Sequence, residues 1–396
     1  LLHGVPVTIK GCHDLAGWAT VNGCAALQDN VAAVSSPAVQ NWLDAGVVVL
    51  GRTNTPEFSC RWETTNDLYG ATANPWNAER TPGGSSGGAA ASVAAGINPL
   101  STGTDLGGSL RQPAQACGVA SMRPGQGRVP DWNGTDPAEA GIGFQLMNVN
   151  GHIARTVRDL RLGLAAMAPG DWHDPWWAPV PLGDAAVSPH RIALVVDPGG
   201  SKMTAQVLSG VKAAGAKLAD AGYGVEEKTP PDLAEAADVW RVVCLGELTM
   251  LLEPAVRDII GPTLKKAFAS YQQFLPGFKP EMILEALSRR RGVLRNWLEF
   301  FETYPLIVGP VGTEPPNTRD DDISSLERNK EVVESFRMTV AVNALNLPAV
   351  TVPVGVSEGL PQAVQIIGPP FSEMRCLAAA AALEARVEPL TPIDPL

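Results

Sequence analysis

The chain alternates between short apolar runs and longer stretches with a helical repeat. Val5, Val7 and Ile9 alternate ahead of Lys10, so residues 5–10 read as a buried strand. The run Val47-Val48-Val49-Leu50 reads as a second strand, with a helix near 36–45 between the two. Pro37 stands early in that helix and Gly46 just past its end, the asymmetry expected of helix termini. Residues 86–95 are alanine-rich between glycines and predict a helix whose N-terminus lies beside Ser85. A further helix is predicted over 155–167, with Val157, Leu160 and Leu164 on one face. Strand, helix and strand then follow at 192–196, 204–221 and 224–228, and residues 232–303 read as mostly helical. The last strands fall at 305–309, 348–354 and 363–367, before a closing helix at 372–385. Such βαβ alternation argues for an α/β fold with a largely parallel sheet. No internal repeat and no low-complexity segment interrupts it.

Two stretches break the pattern. Residues 129–148 mix Trp132, Phe144 and Met147 with glycines, and residues 170–182 hold Trp172, Trp176 and Trp177 among Asp, His and Pro. Aromatic side chains on loops can wall an apolar pocket, and they can equally cover the edge of a core. Composition narrows the function. With 396 residues, 45% of them hydrophobic, the chain can bury a large core. A net charge of −11, with Arg289-Arg290-Arg291 the longest basic run, argues against nucleic-acid binding. No apolar run approaches the ~18 residues of a membrane span. The substrate is therefore expected to be small, and neutral or mildly apolar. Six scattered cysteines without a CxxC pattern, and no HExxH, favour reduced thiols, a cytoplasmic setting and neither metal nor cofactor.

The candidate chemistry lies in two glycine-rich segments. Gly83-Gly84-Ser85-Ser86-Gly87-Gly88 precedes Thr104-Asp105-Leu106-Gly107-Gly108-Ser109, their serines 85 and 109 being 24 residues apart, and Lys10 stands 75 residues before Ser85. A serine hydroxyl is a poor nucleophile until a base removes its proton, and attack on a carbonyl needs backbone N–H groups to hold the oxyanion. Lys10 ends an apolar strand, where desolvation would lower its pKa and make the amine a base. A second hydroxyl can donate and accept at once, and so relay a proton. Glycines let a carbonyl approach the backbone. The combination reads as a serine hydrolase without a histidine. A glycine-rich segment alone is more often only a turn. No GxxxxGK[ST] is present, which removes a phosphate loop. Gly83–Gly87 also fits G-x-S-x-G, but that elbow needs a strand before it, and Asn77–Pro82 is polar and ends in proline.

Taken together, these segments resemble the amidase signature family. Arg52-Thr53-Asn54-Thr55-Pro56-Glu57-Phe58, Glu63-Thr64-Thr65-Asn66 and Asn74-Pro75-Trp76-Asn77 look like its lead-in to the first serine. Arg111-Gln112-Pro113-Ala114, Cys117-Gly118 and Pro124–Val129 resemble the family's segments after the second serine, and 347–355 with 359–368 resemble its closing strands. The resemblance runs from residue 4 to about 385 and implies a Ser-cisSer-Lys triad. Ser109 would be the nucleophile, Ser85 in a cis peptide the relay, and Lys10 the base. The N–H groups of Leu106, Gly107, Gly108 and Ser109 would form the oxyanion hole, with Ser86, Asp105 and Arg111 in support. Arg61, Phe144, Met147 and Trp176 are the candidate pocket residues. The family usually has an aspartate directly after the lysine, whereas here Gly11-Cys12-His13 precedes Asp14. Thr8 replaces a customary glycine or alanine, and Arg61 a customary small residue, so substrate preference is open.

The implied fold is one amidase signature domain over 1–396, a large twisted, mostly parallel mixed sheet with helices on both faces. Its catalytic core would span 1–165, a helical substrate-shaping region about 230–303, and closing strands and helix 304–396. The implied reaction is hydrolysis of a small amide through an acyl-enzyme, with carbamates and esters as further substrates. Two alternatives stay open: an amidotransferase subunit releasing ammonia from glutamine within a complex, and a non-catalytic binding descendant. A homodimer is an allowed assembly. Family members carry a helical region ahead of the lysine, so the start reads as trimmed and a signal peptide ahead of it stays open.

Overall fold

The structure, a computed structural model, describes residues 1–183 and 190–392; the end of the expected closing region, 393–396, lies outside the described residues. Among the described residues ten strands form one mixed sheet. Across it run Val48–Thr53, Pro6–Lys10, Leu100–Thr104, Asn150–Ala154, Ala120–Arg123, Ala349–Ser357, Leu360–Ile367, Leu306–Pro310, Arg191–Leu194 and Gly224–Glu227. The first three strands are mutually parallel, as are the last three. Antiparallel pairs join them through the middle.

Helices cover both faces. On one side Pro37–Asp44, Val157–Met167, Ala205–Asp220 and Glu373–Glu384 bury Trp42, Leu160, Val211 and Leu377 against the sheet. On the other, Gly87–Ala94 and Arg111–Cys117 lie beside Leu233–Glu247, Glu281–Thr303 and Arg337–Leu345. A further cluster around Trp240 and Phe268 builds out the helical region 233–303, joined there by Val332 and Phe336. The expected helical stretch there includes a five-residue π-helical turn, Leu248–Leu252.

Three strands of this sheet were not apparent in the sequence: Leu100–Thr104, Ala120–Arg123 and Asn150–Ala154. The last two are buried at every position, and the first at all but its final residue, so no alternation marks an outer face. Their polar side chains are satisfied inside the sheet. Thr8 donates to Ser101 at 2.8 Å, and the Lys10 amide donates to the Thr102 hydroxyl at 2.9 Å. His152 is fully buried on Asn150–Ala154. Residues 129–148, read as irregular, contain the short helix Ile142–Met147. Among the described residues no helix is long and apolar enough to cross a membrane.

Candidate active site

Lys10 closes its strand at the C-terminal edge of the sheet and is fully buried. Its ammonium nitrogen reaches two hydroxyls, Ser85 Oγ at 2.7 Å and Thr104 Oγ1 at 2.8 Å. Burial pulls the Lys10 pKa below its ordinary value, partly opposed by the Cys12 thiol, the Asp105 carboxylate and the Cys60 thiol nearby. His13, three residues beyond Lys10, bonds Thr102 Oγ1 at 2.9 Å and Asn150 Oδ1 at 3.1 Å. Burial, then the neighbouring Lys10, holds that imidazole neutral, its pKa pushed down to about 3. Asp14 turns away from the lysine and accepts from Thr20 and Thr135, each at 2.6 Å.

Ser85 follows the cis peptide Gly84–Ser85 and is fully buried beside Ser86. Gly84 is needed for that approach: a Cβ there would lie 2.5 Å from the Arg61 carbonyl oxygen and 2.6 Å from the Glu63 nitrogen. Gln112 Oε1 accepts from the Gly84 amide at 2.8 Å, tying the first serine segment to the helix after the second. Ser109 lies two residues ahead of that helix, is 7% exposed, and accepts from the Ser86 amide at 3.2 Å through its carbonyl.

The loop between Asp105 and Ser109 is held at every carbonyl. Asn343 Nδ2 donates to the Asp105 carbonyl at 3.0 Å, Trp240 Nε1 to that of Leu106 at 2.8 Å, and Trp62 Nε1 to that of Gly107 at 2.8 Å. The Gln112 amide takes the Gly108 carbonyl at 2.8 Å. Below the loop, the Asp105 carboxylate receives Arg111 at 3.0 Å twice, Asn343 at 2.7 Å, and the Gly108 amide at 2.9 Å. Arg123 stands 3.4 Å from the same carboxylate. These cations outweigh the cost of burial and hold the Asp105 pKa well below the usual carboxylate range. The expected set of four free amides is corrected here. Gly108 spends its N–H on Asp105, while those of Leu106, Gly107 and Ser109 donate to no partner among the described residues.

Ser85, Thr104, Leu106, Gly107 and Ser109 line one cavity of about 690 Å³. Trp62, Trp240, Phe58, Phe144, Leu248 and Tyr271 supply much of its apolar wall. Cys12, His13, Cys60 and Cys244, for which sequence reasoning found no site role, line it as well. Trp176, 44% exposed, stands at its rim and donates to Gln145 Oε1 at 3.0 Å. His173 stacks between Trp132 and Trp172, ring centroids 4.1 and 3.6 Å away. Arg61 does line the cavity, but its charge is already met. Asp322 takes its Nε at 3.1 Å and Nη2 at 2.6 Å, and Asp320 takes Nη2 at 2.9 Å. Met147 is the second correction: it does not line the cavity but is fully buried in the apolar cluster of Val243 and Trp240. Helix Ile142–Met147 presents its outer residue Phe144 to the space and its last residue to the core.

Comparison with known proteins agrees with this fold. The family model described as Amidase matches residues 1–377, and the chain belongs to the amidase signature family. An indoleacetamide hydrolase of Bradyrhizobium diazoefficiens is 40% identical over 389 residues, 98% of this chain and 74% of that protein. A glutamyl-tRNA(Gln) amidotransferase subunit from Moorella thermoacetica is 32% identical over 419 residues, covering 98% and 83%. The crystal structure of a bacterial aryl acylamidase superposes with a TM-score of 0.82 at 26% identity, covering 97% of this chain and 82% of that one.

Proposed function

We propose that the protein hydrolyses a small amide, best a primary amide of an arylacetic acid, through an acyl-enzyme on Ser109. The observation that carries this reading is the Lys10 Nζ to Ser85 Oγ contact of 2.7 Å at the base of a cavity that also takes in Ser109. The aromatic wall and the 40% identical indoleacetamide hydrolase support the arylacetamide. Ser109 Oγ attacks the carbonyl carbon while its proton passes to Ser85 and the Ser85 proton to neutral Lys10. The carbonyl oxygen becomes an oxyanion on the free N–H groups of Leu106, Gly107 and Ser109. As the C–N bond breaks, Lys10 returns a proton through Ser85 to the leaving nitrogen, and ammonia departs. Water then attacks the ester, its proton taking the same route, and Ser109 regains a hydrogen as the carboxylic acid leaves. Ser86, Asp105 and Arg111 hold these parts in place.

Labelling with a fluorophosphonate, read by intact mass, tests the reading alongside turnover of phenylacetamide, an anilide, a carbamate, an ester and glutamine. One adduct and phenylacetamide turnover in the wild type, both lost in Ser109→Ala, are expected. An adduct that persists in Ser109→Ala would remove Ser109 as nucleophile. Glutamine as the sole substrate would favour an ammonia-supplying role within a complex, and no adduct with no turnover a binding role. Efficient carbamate or ester cleavage would widen the substrate class without changing the nucleophile.

A further inference from the structure

We infer that Trp240 is a positioning residue that sets the heading of the Gly107 N–H, and with it the strength of the oxyanion hole. The inference rests on the acyl-enzyme reading above. In a trans peptide the C=O and N–H point in opposite directions and turn together, because the unit is planar. Fixing a carbonyl therefore fixes the amide of the next residue. The Gly107–Gly108 unit is fixed twice, by Trp62 on its carbonyl and by Asp105 on its amide. The Leu106–Gly107 unit is held at its carbonyl alone, by the Trp240 indole at 2.8 Å, while its amide is unspent. Glycine at 107 leaves rotation of that unit otherwise cheap.

Trp240 also touches Gly107 directly. A Cβ on residue 107 would lie 2.8 Å from the indole Cζ2, so the ring lies against the loop and glycine is required beneath it. The ring is itself held. It is 3% exposed and tilted against Trp62, centroids 6.0 Å apart, and Trp62 in turn lies against Phe336 at 5.4 Å. Helix Leu233–Glu247, more than a hundred residues away in sequence, thus reaches into the loop through one N–H.

Trp240→Phe removes that N–H and keeps an aromatic ring. With phenylacetamide, kcat should fall about thirtyfold, less than the full loss of an oxyanion donor would cost, and KM should stay within about threefold. Benzylboronic acid, which becomes tetrahedral on the serine, should bind correspondingly more weakly, while the product phenylacetate should bind as to wild type. Trp62→Phe, which alters the same cavity wall, should lose clearly less kcat than Trp240→Phe, because Asp105 still holds that peptide unit. Leu248→Ala, which enlarges the cavity and removes no hydrogen bond to the loop, should raise KM instead. Equal kcat losses in Trp240→Phe and Trp62→Phe, or unchanged boronate affinity in a folded Trp240→Phe, would overturn the inference. Should the wild type neither bind the boronate nor turn over the amide, the acyl-enzyme reading fails first and this inference with it.

Discussion

The two hydroxyls within reach of the Lys10 amine place different demands on its proton. Ser85, at 2.7 Å, is the route by which a proton would arrive and leave; Thr104, at 2.8 Å, only accepts. A buried ammonium needs acceptors more than a neutral amine does, so Thr104 partly offsets the desolvation that lowers the lysine pKa. Thr104→Val keeps the shape and removes the acceptor. The acid limb of the kcat/KM profile should then move to lower pH, since Lys10 sheds its proton more readily, while the plateau falls about tenfold as the amine loses an anchor. An acid limb that stays put or moves up would show that Thr104 does not face the titrating amine. The lysine and both serines were legible because each sits in a short stretch of unusual composition, an apolar strand or a glycine cluster. The hold of Trp240 and Asn343 on the loop was not. They lie 134 and 238 residues from the loop carbonyls they hold, and in sequence nothing sets either apart from its helical neighbours.

At the scale of elements, the short helix Ile142–Met147 has no side chain of its own to cap its N-terminus. A carboxylate from elsewhere fills that role: Glu247, last residue of Leu233–Glu247, accepts from the Gly143 amide at 2.8 Å and the Phe144 amide at 3.0 Å. Orphan amides at a helix start favour an anion, and a cap is worth about 1 kcal/mol. Because this helix carries Phe144 to the cavity wall, loosening it should act on binding before chemistry. Glu247→Gln retains one carbonyl oxygen and loses the second acceptor. We expect KM for phenylacetamide to rise about three- to tenfold with kcat within a factor of two, read from steady-state kinetics. A fall in kcat at constant KM would mean that Glu247 acts on the loop near Ser109 instead. The sequence placed Phe144 in the pocket but saw no helix there, because six residues are too few for a repeat to show. It missed the central strands for the opposite reason, since burial on both faces erases the alternation that marked residues 5–10.

Across the whole molecule, the sheet is closed on both faces, and that sets how stability responds to acid. His152, on the central strand Asn150–Ala154, uses its Nε2 N–H on the Leu160 carbonyl at 2.8 Å, and its Nδ1 is buried without a partner among the described residues. Protonating Nδ1 would place an N–H where nothing accepts it, and burial pushes the His152 pKa down to about 4. The sign comes from comparison with the unfolded chain, whose histidines titrate near ~6.5. Between that value and about 4, the unfolded state binds a proton that the folded state refuses. The contribution of His152 is therefore complete above the unfolded value and lost as the pH falls toward 4, and His13 extends the same loss to about 3. Glu63 acts in the other direction: burial raises its carboxyl to about 7, so the folded form keeps a proton that the unfolded chain releases above ~4.3. His152→Gln retains a donor for Leu160 and cannot titrate. Urea unfolding at pH 6.5, 5.5 and 4.5 should show the variant losing less stability per pH unit than wild type, by up to ~1.4 kcal/mol, the value of one proton. Glu63→Gln should steepen the same loss. Parallel pH dependences for His152→Gln and wild type would mean that the imidazole is protonated in the folded chain, and that the sheet opens there before the rest of the molecule unfolds.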